Sequence, residues 1–233
     1  METILRDTTM KYLTALLAIA LAACTGQPAV ESNRRAIDYI HRGLLPRAIV
    51  ALDEAIAADP DYMPAYFNRA IARANAGRPL EALEDVDRVI ARFPDHPRAH
   101  YHRGVIHENL GRARDAILDY SKAIAADPSF PEAYLYRGVA RYKMNDLPGA
   151  LADYDAALAL GWRSSALFFN RAAVLQQQGE HAAAIADYTR SIEIDSSNPH
   201  PFYNRAIARL ALGLRQEALQ DLETARRLGH PTK

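Results

Sequence analysis

Residues 63 to 94 read MPAYFNRAIARANAGRPLEALEDVDRVIARFP, and this stretch carries the signals for two helices. The first half, near 64 to 76, is rich in helix-forming residues and stops at Gly77. Glycine is favoured just past a helix end because it adopts the left-handed backbone conformation at little cost. The second half, near 80 to 92, opens after Pro79 and stops at Pro94, which cannot continue a helix. The stretch therefore predicts a helix–turn–helix unit.

This unit recurs along the chain with a period of 34 residues. Four positions recur six times each at that spacing: Ala48, Ala82, Ala116, Ala150, Ala184 and Ala218; Arg35, Arg69, Arg103, Arg137, Arg171 and Arg205; Gly43, Gly77, Gly111, Asn145, Gly179 and Gly213; Ala36, Ala70, Gly104, Gly138, Ala172 and Ala206. So many matches without a gap indicate a structural repeat. Neither helix of a unit can bury its apolar face alone, so neighbouring units must stack.

The pattern of a small residue, a glycine turn, an alanine, an aromatic residue and a terminal proline resembles the tetratricopeptide repeat (TPR) family. The resemblance implies an all-α, right-handed superhelical solenoid of six helix–turn–helix repeats, with a concave face lined by the first helix of each repeat. The repeats are expected within 31–232, at about 29–62, 63–96, 97–130, 131–164, 165–198 and 199–232. Repeat 1 departs from the pattern, with Ser32 in place of an aromatic residue, and Trp162 replaces the terminal proline of repeat 4.

An aspartate also recurs, sixteen residues after the recurring arginine of its repeat. The arginine lies midway along the first helix and the aspartate midway along the second, so antiparallel helices bring the two to one level. Arginine can hold a carboxylate with two hydrogen bonds, which compensates a partly buried charge. The spacing predicts structural ion pairs in five repeats, and the alternative joins each aspartate to the arginine of the next repeat. The predicted pairs are Arg69–Asp85, Arg103–Asp119, Arg137–Asp153, Arg171–Asp187 and Arg205–Asp221.

The N-terminal segment 10–24 reads MKYLTALLAIALAAC and resembles the lipobox signal peptide of bacterial lipoproteins. Its apolar run, Leu13 to Leu21, is too short for a bilayer span of about 20 residues. The resemblance implies a signal peptide over 1–23, a lipidated tether over 24–30, and acylation of Cys24. A common secretory signal and a buried helix are the alternatives. Translation from Met10 would give a more typical signal, because Glu2 and Asp7 suit its basic region poorly.

Composition narrows the chemistry that this chain can perform. Lys plus Arg and Asp plus Glu both number 28, so no basic nucleic-acid footprint is visible. A single cysteine excludes internal disulfides and multi-cysteine metal sites. No P-loop, GxGxxG, GxSxG or HExxH motif is present. The sequence therefore predicts a non-enzyme without a cofactor. A metal site at His96, His100, His102 and His107 is a weak alternative to packed or solvated histidines.

The TPR resemblance implies that ligands contact the first helices of the repeats. The predicted partner-binding groove comprises Phe67, Asn68, Asn75, Arg98, Tyr101, His102, Asn109, Tyr136, Tyr142, Lys143, Phe169, Asn170, Tyr203 and Asn204, and the same carry-over places Gln176 and Gln177 on this face. Asn68, Asn170 and Asn204 share one register position, and an amide can serve the backbone of an extended peptide. The alternatives are that the asparagines only cap neighbouring turns and that Trp162 forms a rival contact at the edge.

The combined expectation is a membrane-anchored protein–protein interaction scaffold, or adaptor, of the bacterial cell envelope. It would face the periplasm and bind protein or peptide partners, with no nucleic acid, and a homodimer is left open. Thr25 after Cys24 favours the outer membrane in a Gram-negative source, where an aspartate would favour the inner one. The alternatives are a ligand or metal carrier lipoprotein and an assembly factor for a pilus or secretion complex.

Overall fold

A computed structural model describes residues 28–231 of the chain, and these residues form twelve helices and no strand. Helix α1 is described over residues 28–41. The others are α2 (Leu45–Ala58), α3 (Met63–Asn75), α4 (Pro79–Arg92), α5 (Pro97–Asn109), α6 (Ala113–Ala126), α7 (Pro131–Lys143), α8 (Leu147–Ala159), α9 (Ser165–Gln177), α10 (His181–Ile194), α11 (Pro199–Ala211) and α12 (Arg215–Arg227). The prediction of an all-α chain of six helix pairs is confirmed. None of the described helices is long and apolar enough to cross a bilayer.

The predicted tether is too long at its C-terminal end. Residues 28–30 already belong to α1, and Ala29 is completely buried in a cluster with Ala36, Ala48 and Leu52. Burial of Ala29 explains why these residues continue the helix. The signal peptide, Cys24 and the rest of the tether lie outside the described residues.

The turn inside each repeat depends on a residue with positive φ. Gly77 has φ 75° and closes α3 with the paired hydrogen bonds of a Schellman motif: its own N–H donates to the carbonyl of Ala74, and the N–H of Arg78 donates to that of Arg73. Asn145 takes this place in repeat 4 with φ 61°, and asparagine tolerates the left-handed region better than most residues. These turns send the second helix back antiparallel to the first.

The helices pack as two compact units, which divide between Leu110 and Gly111. The pairs α3–α4, α7–α8, α9–α10 and α11–α12 each pack together, and within each unit every second helix also packs against the following first helix. Large apolar side chains fill the core between them, such as Val86 in the first unit and Tyr154 in the second. Gly138 lets α7 approach α8 closely, because a Cβ there would lie 2.6 Å from Cε1 of the Tyr154 ring.

Four of the predicted Arg–Asp pairs are present as contacts inside single repeats. In repeat 2, Nε and Nη2 of Arg69 donate to the two carboxylate oxygens of Asp85 over 2.9 and 2.7 Å. Equivalent hydrogen bonds join Arg137 to Asp153, Arg171 to Asp187, and Arg205 to Asp221. All four aspartates are buried. Arg103 and Asp119 belong to different units, and their pair stays a prediction.

The recurring arginine also reaches back to the preceding repeat. Arg69 contacts Asp53 over 2.6 Å, and Arg171 contacts Asp155 over 2.7 Å. The alternative prediction joined each recurring aspartate to the arginine of the next repeat. In the structure, the arginine instead contacts the residue two positions after that aspartate position. Two positions correspond to about 200° around a helix, so the buried aspartate faces its own repeat and the second residue faces the next one. The remaining links of this kind are Arg103–Asp87, Arg137–Ser121 and Arg205–Thr189.

Repeat 1 shows what happens where the buried aspartate is missing. Ala51 occupies that position, and Arg35 instead contacts the exposed Glu54 over 2.7 Å. A cavity of about 310 Å³ lies beside this pair, lined in part by Tyr39 and Val50. The smaller alanine side chain explains why the space is not filled.

Candidate functional site

The first helices of repeats 4 to 6 surround a cavity in the second unit. Helix α9 contacts both α7 and α11, so the three form a continuous layer, here called the first-helix layer. The cavity measures about 430 Å³ and opens between this layer and the start of α10. Its lining consists of Tyr142, Ala173, Gln176, Gln177, His181, Tyr188 and Asn204.

Hydrogen bonds at the floor of the cavity hold its polar side chains in place. The hydroxyl of Tyr188 donates to Oε1 of Gln176 over 2.9 Å. Burial raises the pKa of Tyr188, while a hydrogen bond with Asn204 opposes this rise and the partial charge of Tyr142 adds to it. Tyr188 is therefore a neutral phenol at physiological pH. At the rim, Nε2 of Gln177 donates to Oδ1 of Asn145 over 3.2 Å.

The lining carries hydrogen-bonding groups but no lysine, arginine, aspartate or glutamate. Nδ1 of His181 is buried and has no hydrogen-bond partner in the described part of the chain. Gln176 uses only its oxygen for Tyr188, so its amide N–H groups can still donate. Gln177 uses only its nitrogen for Asn145, so its oxygen can still accept. The described lining thus offers donors and acceptors together, with no lysine, arginine or carboxylate beside them.

The predicted groove residues differ widely in exposure. The exposed ones are Asn75, Arg98, Asn109, Tyr136, Tyr142 and Lys143, and the half-buried ones are Phe67, Asn68, Tyr101, His102, Phe169, Asn170, Tyr203 and Asn204. Only Tyr142 and Asn204 of this set line the cavity, together with Gln176 and Gln177. The members before Gly111 belong to the other unit and form no part of it.

Several predicted groove residues have structural contacts. Nδ2 of Asn68 donates to Oδ1 of the buried Asn33 over 2.8 Å, which joins α1 to α3. The ring of Phe169 packs against that of Tyr188, and the ring of Tyr203 stacks on His230 with centroids 4.1 Å apart. Asn68 thus joins two neighbouring first helices and does not cap a turn through this bond.

The histidines of repeat 3 have separate partners. His96 caps α5, with its Nδ1 accepting from the N–H of Ala99 over 3.1 Å. Nε2 of His100 donates to the carbonyl of Pro94 over 2.6 Å. His102 packs edge-on against Phe67 and Tyr101. Between residues 28 and 231, no three His, Cys, Asp or Glu side chains are grouped to hold a metal ion.

Trp162 packs against the core cluster of the second unit that contains Leu135 and Tyr154. Its ring is half-buried, and its indole nitrogen has no hydrogen-bond partner in the part of the chain that the structure describes. This contact supports a structural role, in which Trp162 covers the helix ends between repeats 4 and 5.

Three cavity residues were not predicted as part of a binding site, namely Ala173, His181 and Tyr188. Tyr188 belongs to a 34-residue series with Tyr120 and Tyr154, and that series indicates core packing. A buried phenol needs a hydrogen-bond partner, so polar neighbours of Tyr188 could have been anticipated from the series. His181 begins α10 and has no counterpart in the other repeats, so no periodic signal identifies it.

Family comparison agrees with the repeat pattern. A family model described as tetratricopeptide repeat matches residues 33–88, 67–131 and 109–165, and one described as TPR repeat matches 174–213. Together these matches cover more than half of the chain. The chain belongs to the tetratricopeptide repeat family. TPR proteins are protein–protein interaction scaffolds, and such scaffolds are typically non-catalytic.

Solved TPR structures share the fold at low sequence identity. PilF from Pseudomonas aeruginosa is 18% identical, covers 89% of this chain and 95% of its own, and gives a TM-score of 0.81. PilW, described as a type IV pilus biogenesis factor, is 19% identical over 89% and 96% of the two chains, with a TM-score of 0.78. MamA is 23% identical over 68% and 93%, with a TM-score of 0.64. Sequence comparison with curated proteins gives no match.

Proposed function

We propose that this TPR protein is a lipid-anchored scaffold of the bacterial cell envelope that binds protein or peptide partners on its first-helix layer. The observation that carries the proposal is the hydrogen-bonding cavity between α7, α9 and α11, whose described lining holds no lysine, arginine or carboxylate. The exposed Tyr142 on α7 lines this cavity, and a second exposed tyrosine, Tyr136, lies on the same helix. The predicted lipobox at Cys24 supports the anchor, and the TPR family supports the scaffold.

The chemistry of the first-helix layer suits an extended peptide. A peptide backbone presents a donor and an acceptor at each residue, and the amides of Gln176, Gln177 and Asn204 offer both in return. Tyrosine adds a large contact area at low cost in conformational entropy. A partner can therefore gain apolar contacts from α7 and hydrogen bonds from α9 and α11.

The anchor and the repeats have separate tasks in this proposal. Acylation of Cys24 would fix the protein at a membrane of the envelope, facing the periplasm, and Thr25 favours the outer membrane. The stacked helices would hold the binding residues in fixed positions, which lowers the entropy cost of binding. Restriction to one membrane surface raises the effective concentration of partners.

The anchor is tested by replacing Cys24 with serine. The Cys24→Ser protein is expected to leave the membrane fraction, because a serine cannot carry the thioether-linked lipid. Mass spectrometry of the wild-type N-terminal peptide is expected to show an acylated Cys24, and the variant is expected to lack that mass. Cys24→Ser protein that still fractionates with membranes, or an unmodified wild-type peptide, would contradict the anchor.

Partner binding is tested by crosslinking and pull-down from envelopes with the tethered protein as bait. The double variant Tyr136→Ala, Tyr142→Ala is expected to capture at least about tenfold less of its partners, because truncating a hot-spot aromatic costs about 2 kcal/mol or more. The matched control is Leu118→Ala, which removes an apolar side chain that is 62% exposed on the second helix α6. Helical content measured by circular dichroism should be equal in all of these proteins.

The pull-down also distinguishes binding on the first-helix layer from binding at the edge near Trp162. If Trp162→Ala loses partners while the double tyrosine variant keeps them, binding runs along the edge and the first-helix layer is not the site. The structural similarity to PilF and PilW favours one second candidate, an assembly factor for a pilus or secretion complex. Pilus or secretion components among the captured partners would identify that narrower role.

A further inference from the structure

The cavity in the second unit has a composition that selects among peptide side chains. Its polar lining consists of two glutamines, an asparagine, two tyrosines and a histidine, all on α7, α9, α10 and α11. Lysine, arginine, aspartate and glutamate are absent from the lining as far as the structure describes it. This balance of donors and acceptors is the complement of a primary amide, which itself has both.

We propose that this cavity is a subsite for the amide side chain of an asparagine or glutamine in an extended partner peptide. The inference rests on the proposed function, since it names the residue type that the first-helix layer recognises. The ligand carbonyl would accept from the amide N–H groups of Gln176 or the hydroxyl of Tyr142. The ligand NH₂ would donate to Oε1 of Gln177 or to Oδ1 of Asn204.

The existing hydrogen bonds prepare the cavity for this ligand. Gln176 is held by the hydroxyl of Tyr188, and Gln177 is held by Asn145. Each bond uses one end of an amide and orients the other end, so the remaining donor and acceptor are already in place. A preorganised site loses less entropy on binding than a flexible one.

Charged and apolar side chains fit this cavity less well. A carboxylate would lose its hydration without meeting a lysine or arginine, and an ammonium group would find no carboxylate. A leucine would leave the amides of Gln176, Gln177 and Asn204 without water or a ligand partner, and unmade buried hydrogen bonds are costly. The volume of about 430 Å³ lies within the range of about 300–1,000 Å³ found for ligand sites, so flanking peptide backbone also fits.

The test uses three acetylated and amidated pentapeptides that differ only in the central residue, which is Asn, Asp or Leu. These side chains have nearly the same shape, so the comparison isolates hydrogen bonding and charge. Each peptide is titrated into the full chain purified in detergent, and nuclear magnetic resonance follows the side-chain amide signals of Gln177 and Asn204. The Asn peptide is expected to shift these signals saturably and to bind at least about fivefold more tightly than the other two. Equal or tighter binding of the Asp or Leu peptide, or no shift with the Asn peptide, would overturn the subsite.

Two variants in the lining, each with a matched control outside it, test whether the preference for the Asn peptide arises in the cavity. Tyr142→Phe and Gln177→Leu each remove hydrogen-bonding atoms from the lining and are expected to weaken Asn-peptide binding about fivefold. Tyr134→Phe on α7 and Gln178→Leu beside α9 change the same residue types outside the lining and should leave binding unchanged. Equal effects in lining and control variants would also reject the subsite.

The two proposals can fail separately. If the Tyr136→Ala, Tyr142→Ala protein loses its envelope partners but the three peptides bind equally, the scaffold stands and the amide subsite is wrong. If the double variant keeps all partners while the Asn peptide is preferred, the subsite stands and the partner surface lies elsewhere.

Discussion

Replacing Asp153 by alanine is expected to lower the free energy of unfolding by about 3 to 5 kcal/mol, the usual result of breaking a buried ion pair. The Asp153 side chain is only 3% exposed and accepts hydrogen bonds from both Arg137 and Arg141. Its removal leaves the largely buried guanidinium of Arg137 without this counter-charge, and it leaves Arg141 with the half-exposed Asp146, whose Oδ2 lies 3.7 Å from Nε of Arg141. The melting temperature is therefore expected to fall by about 6 to 20 °C for a chain of this size.

Asp155 provides the matched control on the same helix. Its side chain is 55% exposed, and its partner Arg171 keeps a second, buried carboxylate at Asp187. Asp155→Ala is expected to cost no more than about 1 kcal/mol, because solvent screens an exposed pair. Thermal unfolding followed by circular dichroism compares the two variants directly. A similar loss of stability in both, or a small loss in Asp153→Ala, would show that burial does not set the strength of these pairs.

The Arg–Asp ion pairs show which contacts the 34-residue period predicts and which it does not. The pair of Arg137 with Asp153 recurs every 34 residues, so the sequence was enough to predict it. A second arginine, Arg141, bonds to the same carboxylate. Its only counterparts are Arg73 and Arg209, and each lies 68 residues from Arg141. The intervening repeats have His107 and Leu175 at this position, so the 34-residue period does not predict the second bond.

The candidate site was less predictable than the fold. Asn68 and Asn204 share one register position, yet Asn68 bonds to Asn33 while Asn204 bonds to Tyr188 and lines the cavity. The difference arises from the neighbouring helix, which varies from repeat to repeat. The 34-residue period determines which helix position a side chain occupies. The lining of the cavity also depends on neighbours that do not recur in other repeats, such as His181.

Acid is expected to destabilise the folded protein through a histidine on α5. His102 is half-buried, and the rings of Phe67 and Tyr101 pack edge-on against it. Burial, together with the positive charges of Arg98 and His96, lowers the pKa of His102 to about 4. An unfolded chain restores the ordinary histidine pKa of about 6.5. Between these two values the unfolded chain binds more protons than the folded one.

The sign of the pH dependence follows from that difference. Above about pH 6.5, His102 is neutral in both states and has no effect on the pH dependence of stability. As pH falls from about 6.5 towards 4, protonation favours the unfolded chain, at about 1.4 kcal/mol for each pH unit. The loss through His102 should reach about 2 to 3 kcal/mol near pH 4.5.

His102→Phe tests this assignment, because phenylalanine keeps an aromatic ring between Phe67 and Tyr101 but does not titrate. Urea unfolding at pH 7 and pH 4.5 gives the acid-induced loss of stability for each protein, and carboxylates common to both cancel in the comparison. The variant is expected to lose about 2 to 3 kcal/mol less than the wild type on acidification. His41→Phe, at an exposed position on α1, should behave like the wild type. Equal acid sensitivity of His102→Phe and the wild type would contradict a buried, neutral His102, since a side chain that cannot titrate cannot couple folding to pH.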